Sequence, residues 1–149
     1  MNLELVRNTL EALSIDLTPE SVRHVQQETI VSLDNPDLLP KVLEGLLKRR
    51  AFHHLSTITG QDDGQSLTVL YHLWGDGGLT IQVACDRRAP SLPTIEHLIP
   101  AEGWYEREVH DMLGIAFRGS KDQRPLVLPD DWDSEPPLLA TSQGQEKNA

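Results

Sequence analysis

One short segment concentrates the side chains that could do chemistry. Glu106-Arg107-Glu108-Val109-His110-Asp111 holds three carboxylates, a guanidinium and an imidazole. Paired carboxylates suit hydrolysis of glycosides, but Glu106 and Glu108 stand two apart, and residues two apart on a helix point in different directions. Arg107 and Asp111 are i, i+4 neighbours, as are Glu106 and His110, which is the spacing of ion pairs along a helix. Metal chemistry finds no support in the histidines. His53, His54, His72, His97 and His110 lack a ligand spacing such as His-Glu-x-x-His, and His53 and His54 are adjacent on an expected strand, so they face opposite ways. Cys85 is the one cysteine; it ends an apolar strand face and reads as core. A lone thiol builds no disulfide, iron–sulfur cluster or multi-Cys zinc site within the chain. Gly75-Asp76-Gly77-Gly78 is followed by a strand and not a helix, so it is a hairpin turn and not a phosphate loop. No residue is thereby assigned a catalytic, cofactor-binding or metal-binding role. The 106–111 cluster is left as a solvated helix face or an ion-paired interface.

Composition removes other classes. The 149 residues carry a formal net charge of −10, which opposes nucleic acid, whose phosphates need clustered Lys and Arg, and opposes an anionic membrane surface. It suits solubility and docking on a basic partner. Hydrophobic residues are 38% and charged residues 24% of the chain, ordinary for a globular domain. No apolar run is long enough to span a bilayer, and Met1-Asn2-Leu3-Glu4 lacks the layout of a signal peptide. A reducing, cytoplasmic compartment is expected, with any membrane association made through another protein.

The elements that must position the cluster follow from periodicity. Leu3, Val6, Leu10 and Leu13 give a helical stripe over residues 2–13. Thr18-Pro19 has the form of an N-cap and first helical position. Residues 28–33 read as a strand ended by Asp34-Asn35-Pro36. Leu39, Val42, Leu43, Leu46 and Leu47 predict a helix over 37–50. Strands are predicted over 53–59, 66–74 and 79–85, the last two as an antiparallel hairpin. Asp86–Pro93 reads as a polar connection, Thr94–Ile99 as a helical turn, and 101–113 as the helix carrying the cluster, stopped by Gly114. The expected fold is α+β: a mostly antiparallel four-stranded sheet covered by helices on one face. It forms one domain over residues 1–119. Residues 120–140, rich in Pro, Asp and Leu without a period, are expected to form an extended arm that binds a partner through apolar mass such as Trp132. Residues 141–149 are expected to be disordered.

Trp104-Tyr-Glu-Arg-Glu-Val-His-Asp-Met-Leu-Gly-Ile-Ala-Phe-Arg-Gly119 resembles the signature of the respiratory-chain NADH dehydrogenase 30-kilodalton subunit family. The matching positions are Glu106, Arg107, Glu108, Asp111, Met112, Leu113, Gly114, Ile115, Phe117 and Gly119. Pro90-Ser91 and the strands through Val83 agree with the family's layout, and the resemblance covers roughly residues 50–139. It implies a non-catalytic structural subunit of a complex I-like or energy-converting [NiFe] hydrogenase complex, without flavin, cluster or metal. Its partners would be the large subunit (49-kilodalton-like or [NiFe] hydrogenase large subunit) and neighbouring peripheral-arm subunits. It would sit at the inner face of the cell membrane and reach the membrane only through the complex. The interface residues this implies are Glu106, Arg107, Glu108, Asp111, Gly114, Phe117, Gly119, Arg124 and Trp132. The sequence departs from the family pattern at Ser120 and Gln123, and Leu126–Trp132 is more similar to the hydrogenase branch. The alternative is a free-standing adaptor or regulator with the same fold.

Overall fold

The computed structural model describes residues 3–15 and 18–140; the tail expected to be disordered, 141–149, lies outside them. Helix α1 spans Leu3–Ala12 and α2 spans Leu39–Lys48. Both follow the apolar stripes of the sequence, with Val6, Leu10, Leu39, Val42, Leu43 and Leu46 buried. Five strands form the main sheet: β1 Val22–Val25, β2 Glu28–Leu33, β3 His54–Asp62, β4 Leu67–Gly75 and β5 Gly77–Cys85. Their order is β1-β2-β5-β4-β3. All neighbours are antiparallel except β2 and β5. The chain leaves β2, passes through α2 and returns by β3 and β4, which places β5 beside β2 in the same direction.

The four-stranded expectation is therefore corrected to five. The extra strand, β1, joins β2 through the two-residue loop Gln26-Gln27, where Gln26 takes φ 56°. Such hairpin loops are ordinarily flagged by Asn or Gly; glutamine gives no such flag, and β1 is buried only at Val22. A second sheet was also missed. Ser91–Pro93 (β6) pairs in parallel with Ala116–Arg118 (β7). These strands are three residues each, too short for alternation to register.

One face of the large sheet is the core. Val31, Leu33, Val69, Tyr71, Leu73, Leu79, Ile81 and Val83 are buried there beneath the helices. The opposite face carries Leu70, His72, Trp74, Gln82 and Ala84, which are half-buried or exposed, as expected of an antiparallel sheet with one solvated side. Helix α3, Gly103–Leu113, lies against edge strand β3. Its close approach is set at Gly60, where a Cβ would collide with Leu113 Cδ1 and stand 3.3 Å from Val109 Cγ1. Gly60→Ala is expected to lower stability by about 1–3 kcal/mol, the usual cost of overpacking, read as a shift in urea midpoint. An unchanged midpoint would show that α3 can move off β3 freely.

Residues 119–140 contain no helix or strand, as the missing period suggested, but they do not form an arm standing away from the domain. They fold back along α3. Leu138 N–H donates to Met112 O at 2.9 Å, and the Ala140 N–H and carbonyl reach the Asp62 carboxylate (2.6 Å) and the Arg87 guanidinium (2.6 Å). Arg87 and Asp62 also pair with each other. Asp62 and Arg87 lie far from residue 140 in sequence and match no motif, so nothing in the sequence announces this clamp.

Candidate partner interface

Helix α3 is entered through a 3-10 turn, Pro100–Glu102. It is stopped by Gly114, whose φ is 70° and whose N–H donates to His110 O at 2.8 Å. A left-handed residue at this position favours glycine. On this helix neither i, i+4 pair that the spacing offers is formed; Glu106, Arg107, His110 and Asp111 instead find partners outside α3, and Glu108 is exposed.

Glu106 turns inward and is 1% exposed. Its Oε2 accepts from the Thr94 hydroxyl at 2.6 Å and its Oε1 from Ile95 N–H at 2.7 Å. Burial pushes its carboxyl up, the two hydrogen bonds offset part of that, and the like charges of Glu96 and Glu102 add to it; the result is about 7. Glu102 is also buried and raised by burial, and its Oε2 has no hydrogen-bond partner. Glu96 accepts from Ser120 Oγ and Lys121 N–H.

Asp111 is buried too. Its Oδ2 accepts three successive backbone N–H groups, from Leu126 (2.8 Å), Val127 (2.7 Å) and Leu128 (3.1 Å). Burial alone would push this carboxyl up; the three donors prevail and hold it below the usual range. Arg107 works beside it. Its Nε and one terminal nitrogen donate to the carbonyls of Arg124 and Pro125, both at 2.9 Å. The guanidinium also lies 3.4 Å from Asp122 and 5.4 Å from the Trp104 ring centroid. The guanidinium thus spends its two hydrogen bonds on main chain, within range of one carboxylate. His110 Nδ1 donates to Ile115 O at 3.0 Å, which tightens the exit from α3.

The residues that the resemblance marked divide into two groups. Glu106, Asp111 and Phe117 are buried and shape the surface from beneath. Arg107 and Gly114 are partly buried, whereas Glu108, Gly119, Arg124 and Trp132 are exposed. Gly119 takes φ 87°, and Arg124 is paired with Asp122 through two hydrogen bonds. The Asp122 carboxyl is held far below its usual range, first by the Arg124 side chain. Three further apolar side chains stand exposed on α3 and the following segment: Trp104, Val127 and Leu138. Their legible signal is a large apolar residue off the helical stripe, as at Trp104, or in a Pro-rich stretch, as at Val127 and Leu138. Cys85 is buried, and burial raises its thiol, in keeping with a core role. Among the described residues no group of three or more His, Cys, Asp and Glu is placed to hold a metal, and no helix is long and apolar enough to cross a membrane.

The chain is 34% identical over 94 residues to an NADH-quinone oxidoreductase subunit of Chloroherpeton thalassium, covering 60% of this chain and 39% of that protein. It is 38% identical over 104 residues to formate hydrogenlyase subunit 5 of Escherichia coli, covering 65% of this chain and 18% of that protein. The chain thus spans well under half the length of these relatives. Among solved structures, a chain of the membrane-bound sulfane sulfur reductase, an archaeal respiratory membrane complex, has the same fold, with a TM-score of 0.68 at 24% identity over 86% of this chain and 77% of that one. Residues 33–148 match the family described as respiratory-chain NADH dehydrogenase, 30 Kd subunit, and the chain belongs to that family.

Proposed function

We propose that the chain is a non-catalytic structural subunit of a multi-subunit, membrane-associated oxidoreductase, a complex I-like quinone reductase or an energy-converting hydrogenase. It packs α3 and residues 120–140 against the large subunit on the cytoplasmic side. The observation that carries this is the pairing of exposure with fixation. Trp104, Val127, Trp132 and Leu138 stand 44–61% exposed, while Arg107 and Asp111 fix residues 124–128 and main-chain hydrogen bonds to Pro129 O and Met112 O hold Trp132 and Leu138. A surface of aromatic and aliphatic anchors on a pre-ordered frame loses little entropy on binding. The relatives named as NADH-quinone oxidoreductase and formate hydrogenlyase subunits support the kind of assembly. In the latter the shared region is a small part of a much longer chain, so it works beside a large protein mass.

Arg107→Lys tests this. Lysine keeps the charge but cannot fork onto two carbonyls, so the frame loosens while net charge stays the same. The tagged full-length variant is expected to recover roughly a tenth as much large subunit as wild type from detergent extract, a loss of about 1.4 kcal/mol. Recovery at the wild-type level would sink the proposal.

A further inference from the structure

Between the end of α3 and residues 125–136 runs an open groove of about 270 Å³. Its lining includes Gly114, Leu128, Pro129, Asp130, Trp132 and Pro136. Its walls are built in advance. Three amides are fixed on Asp111. Gly114 abuts Pro136, whose Cγ lies 3.0 Å from where a Cβ would stand. Trp132 is held in a turn by its N–H on Pro129 O at 3.0 Å and its indole N–H on Glu135 O at 3.3 Å. The charge here has one sign. Residues 125–140 contain Asp130, Asp131, Asp133 and Glu135 and no Lys or Arg. All four are exposed, and among the described residues none joins an ion pair. The guanidiniums nearby are already engaged, Arg124 by Asp122 and Arg107 by Asp122 and the carbonyls of Arg124 and Pro125.

We propose that this groove receives an extended, arginine-bearing segment of the large subunit, whose guanidinium lies over the Trp132 ring among the four carboxylates. The inference rests on the packing proposed above and names its contact. An aromatic side chain that lines the groove with Asp130, in a segment that also exposes Asp131, Asp133 and Glu135, attracts a cation twice, through the ring quadrupole and through charge. Arginine suits it better than lysine because its plane can stack while its edge binds carboxylate. The same charge repels phosphate and anionic lipid. It also disfavours a second copy of this acidic chain, although the exposed run Lys48-Arg49-Arg50 gives such a copy one means of approach.

The test uses the full chain in its complex. Tagged wild type, Asp130→Asn/Asp131→Asn/Asp133→Asn, Trp132→Ala and Trp132→Phe are each used to recover the large subunit over a series of KCl concentrations. The triple variant and Trp132→Ala are expected to recover about tenfold less near 0.15 M salt. Trp132→Phe, which keeps a ring face, should retain most of the binding. The gap between wild type and the triple variant should narrow as salt screens the pairs. These side chains are exposed, so unchanged urea midpoints verify folding. Unchanged recovery by the triple variant and Trp132→Ala, alongside a loss for Arg107→Lys, overturns the groove and leaves the packing proposal standing. Failure of wild type itself to recover the large subunit overturns both. A shift of the isolated chain from dimer to monomer on Trp132→Ala, with the large subunit still recovered, makes the groove a self-contact and likewise overturns the inference.

Discussion

Replacing Asp111 with alanine is expected to destabilise the protein by about 2–4 kcal/mol and to release residues 120–140 to protease. The carboxylate accepts from Leu126, Val127 and Leu128 together. Hydrogen bonds to a charged acceptor contribute roughly 1.5–3 kcal/mol each, and three that share one oxygen fall short of their sum. Alanine leaves the donors to water, and between Gly119 and Leu138 the Arg107 contacts to Arg124 and Pro125 then carry most of the attachment. Asp111→Asn should cost about half as much, since it keeps an oxygen acceptor and loses the charge. The pH dependence has a defined sign. The folded carboxyl is held below its ordinary 3.8, so its stabilisation is complete above that value and is lost as pH falls through the folded value. The difference between wild type and Asp111→Ala should therefore shrink in acid. Urea titration at pH 7 and pH 3 measures this, and cleavage mapping by a nonspecific protease reports the segment. Equal cleavage rates beyond Gly119 in wild type and variant would refute the role given to Asp111.

The same carboxylate shows where legibility ended. Its position in a dense charged helix was plain from the sequence, and the i, i+4 rule paired it with Arg107. That rule describes isolated helices in water. Here burial changes the competition, because a buried carboxylate needs several donors and three backbone amides supply them better than one shared guanidinium. The helices and the β4–β5 hairpin were readable because each buries a regular stripe: α2 through Leu39, Val42, Leu43 and Leu46, and the hairpin through Leu67–Leu73 and Leu79–Cys85. β1 and the β6–β7 pair were not, since a strand buried at one residue or three residues long carries no period. Residues 120–140 read as an extended partner-binding arm because they have no period either. Their attachment is polar and long-range, from Asp62, Arg87, Arg107 and Asp111, and such pairings leave no local pattern.

Glu106 should make the protein less stable as pH rises from about 4.5 to about 7, opposite in direction to Asp111. Its ordinary value is 4.5 and its folded value about 7, so the folded state holds its proton more tightly than the unfolded chain does. Below 4.5 both states are protonated and nothing is lost. Through the window the unfolded chain releases its proton first, and stability declines until the folded carboxyl also ionises; above about 7 the full penalty stands. That gap corresponds to roughly 3 kcal/mol. The groups facing Glu106 act in the same direction. Glu96 and Glu102 add like charge, and Tyr71, itself raised by burial and then by Glu106, brings no cation. Glu106→Gln removes the titration and keeps the shape. Its oxygen can accept from Ile95 N–H, and its amide can donate to the Thr94 hydroxyl. At pH 8 the variant is expected to exceed wild type by about 1–3 kcal/mol, with a difference under about 1 kcal/mol at pH 5, by urea titration at half-unit intervals. Glu102→Gln serves as the control, since it removes one neighbouring charge and should lower the Glu106 transition without abolishing it. Parallel wild-type and Glu106→Gln curves between pH 5 and 8 would mean that the buried carboxyl is neutralised by a contact other than its own proton, and desolvation would then not govern its titration.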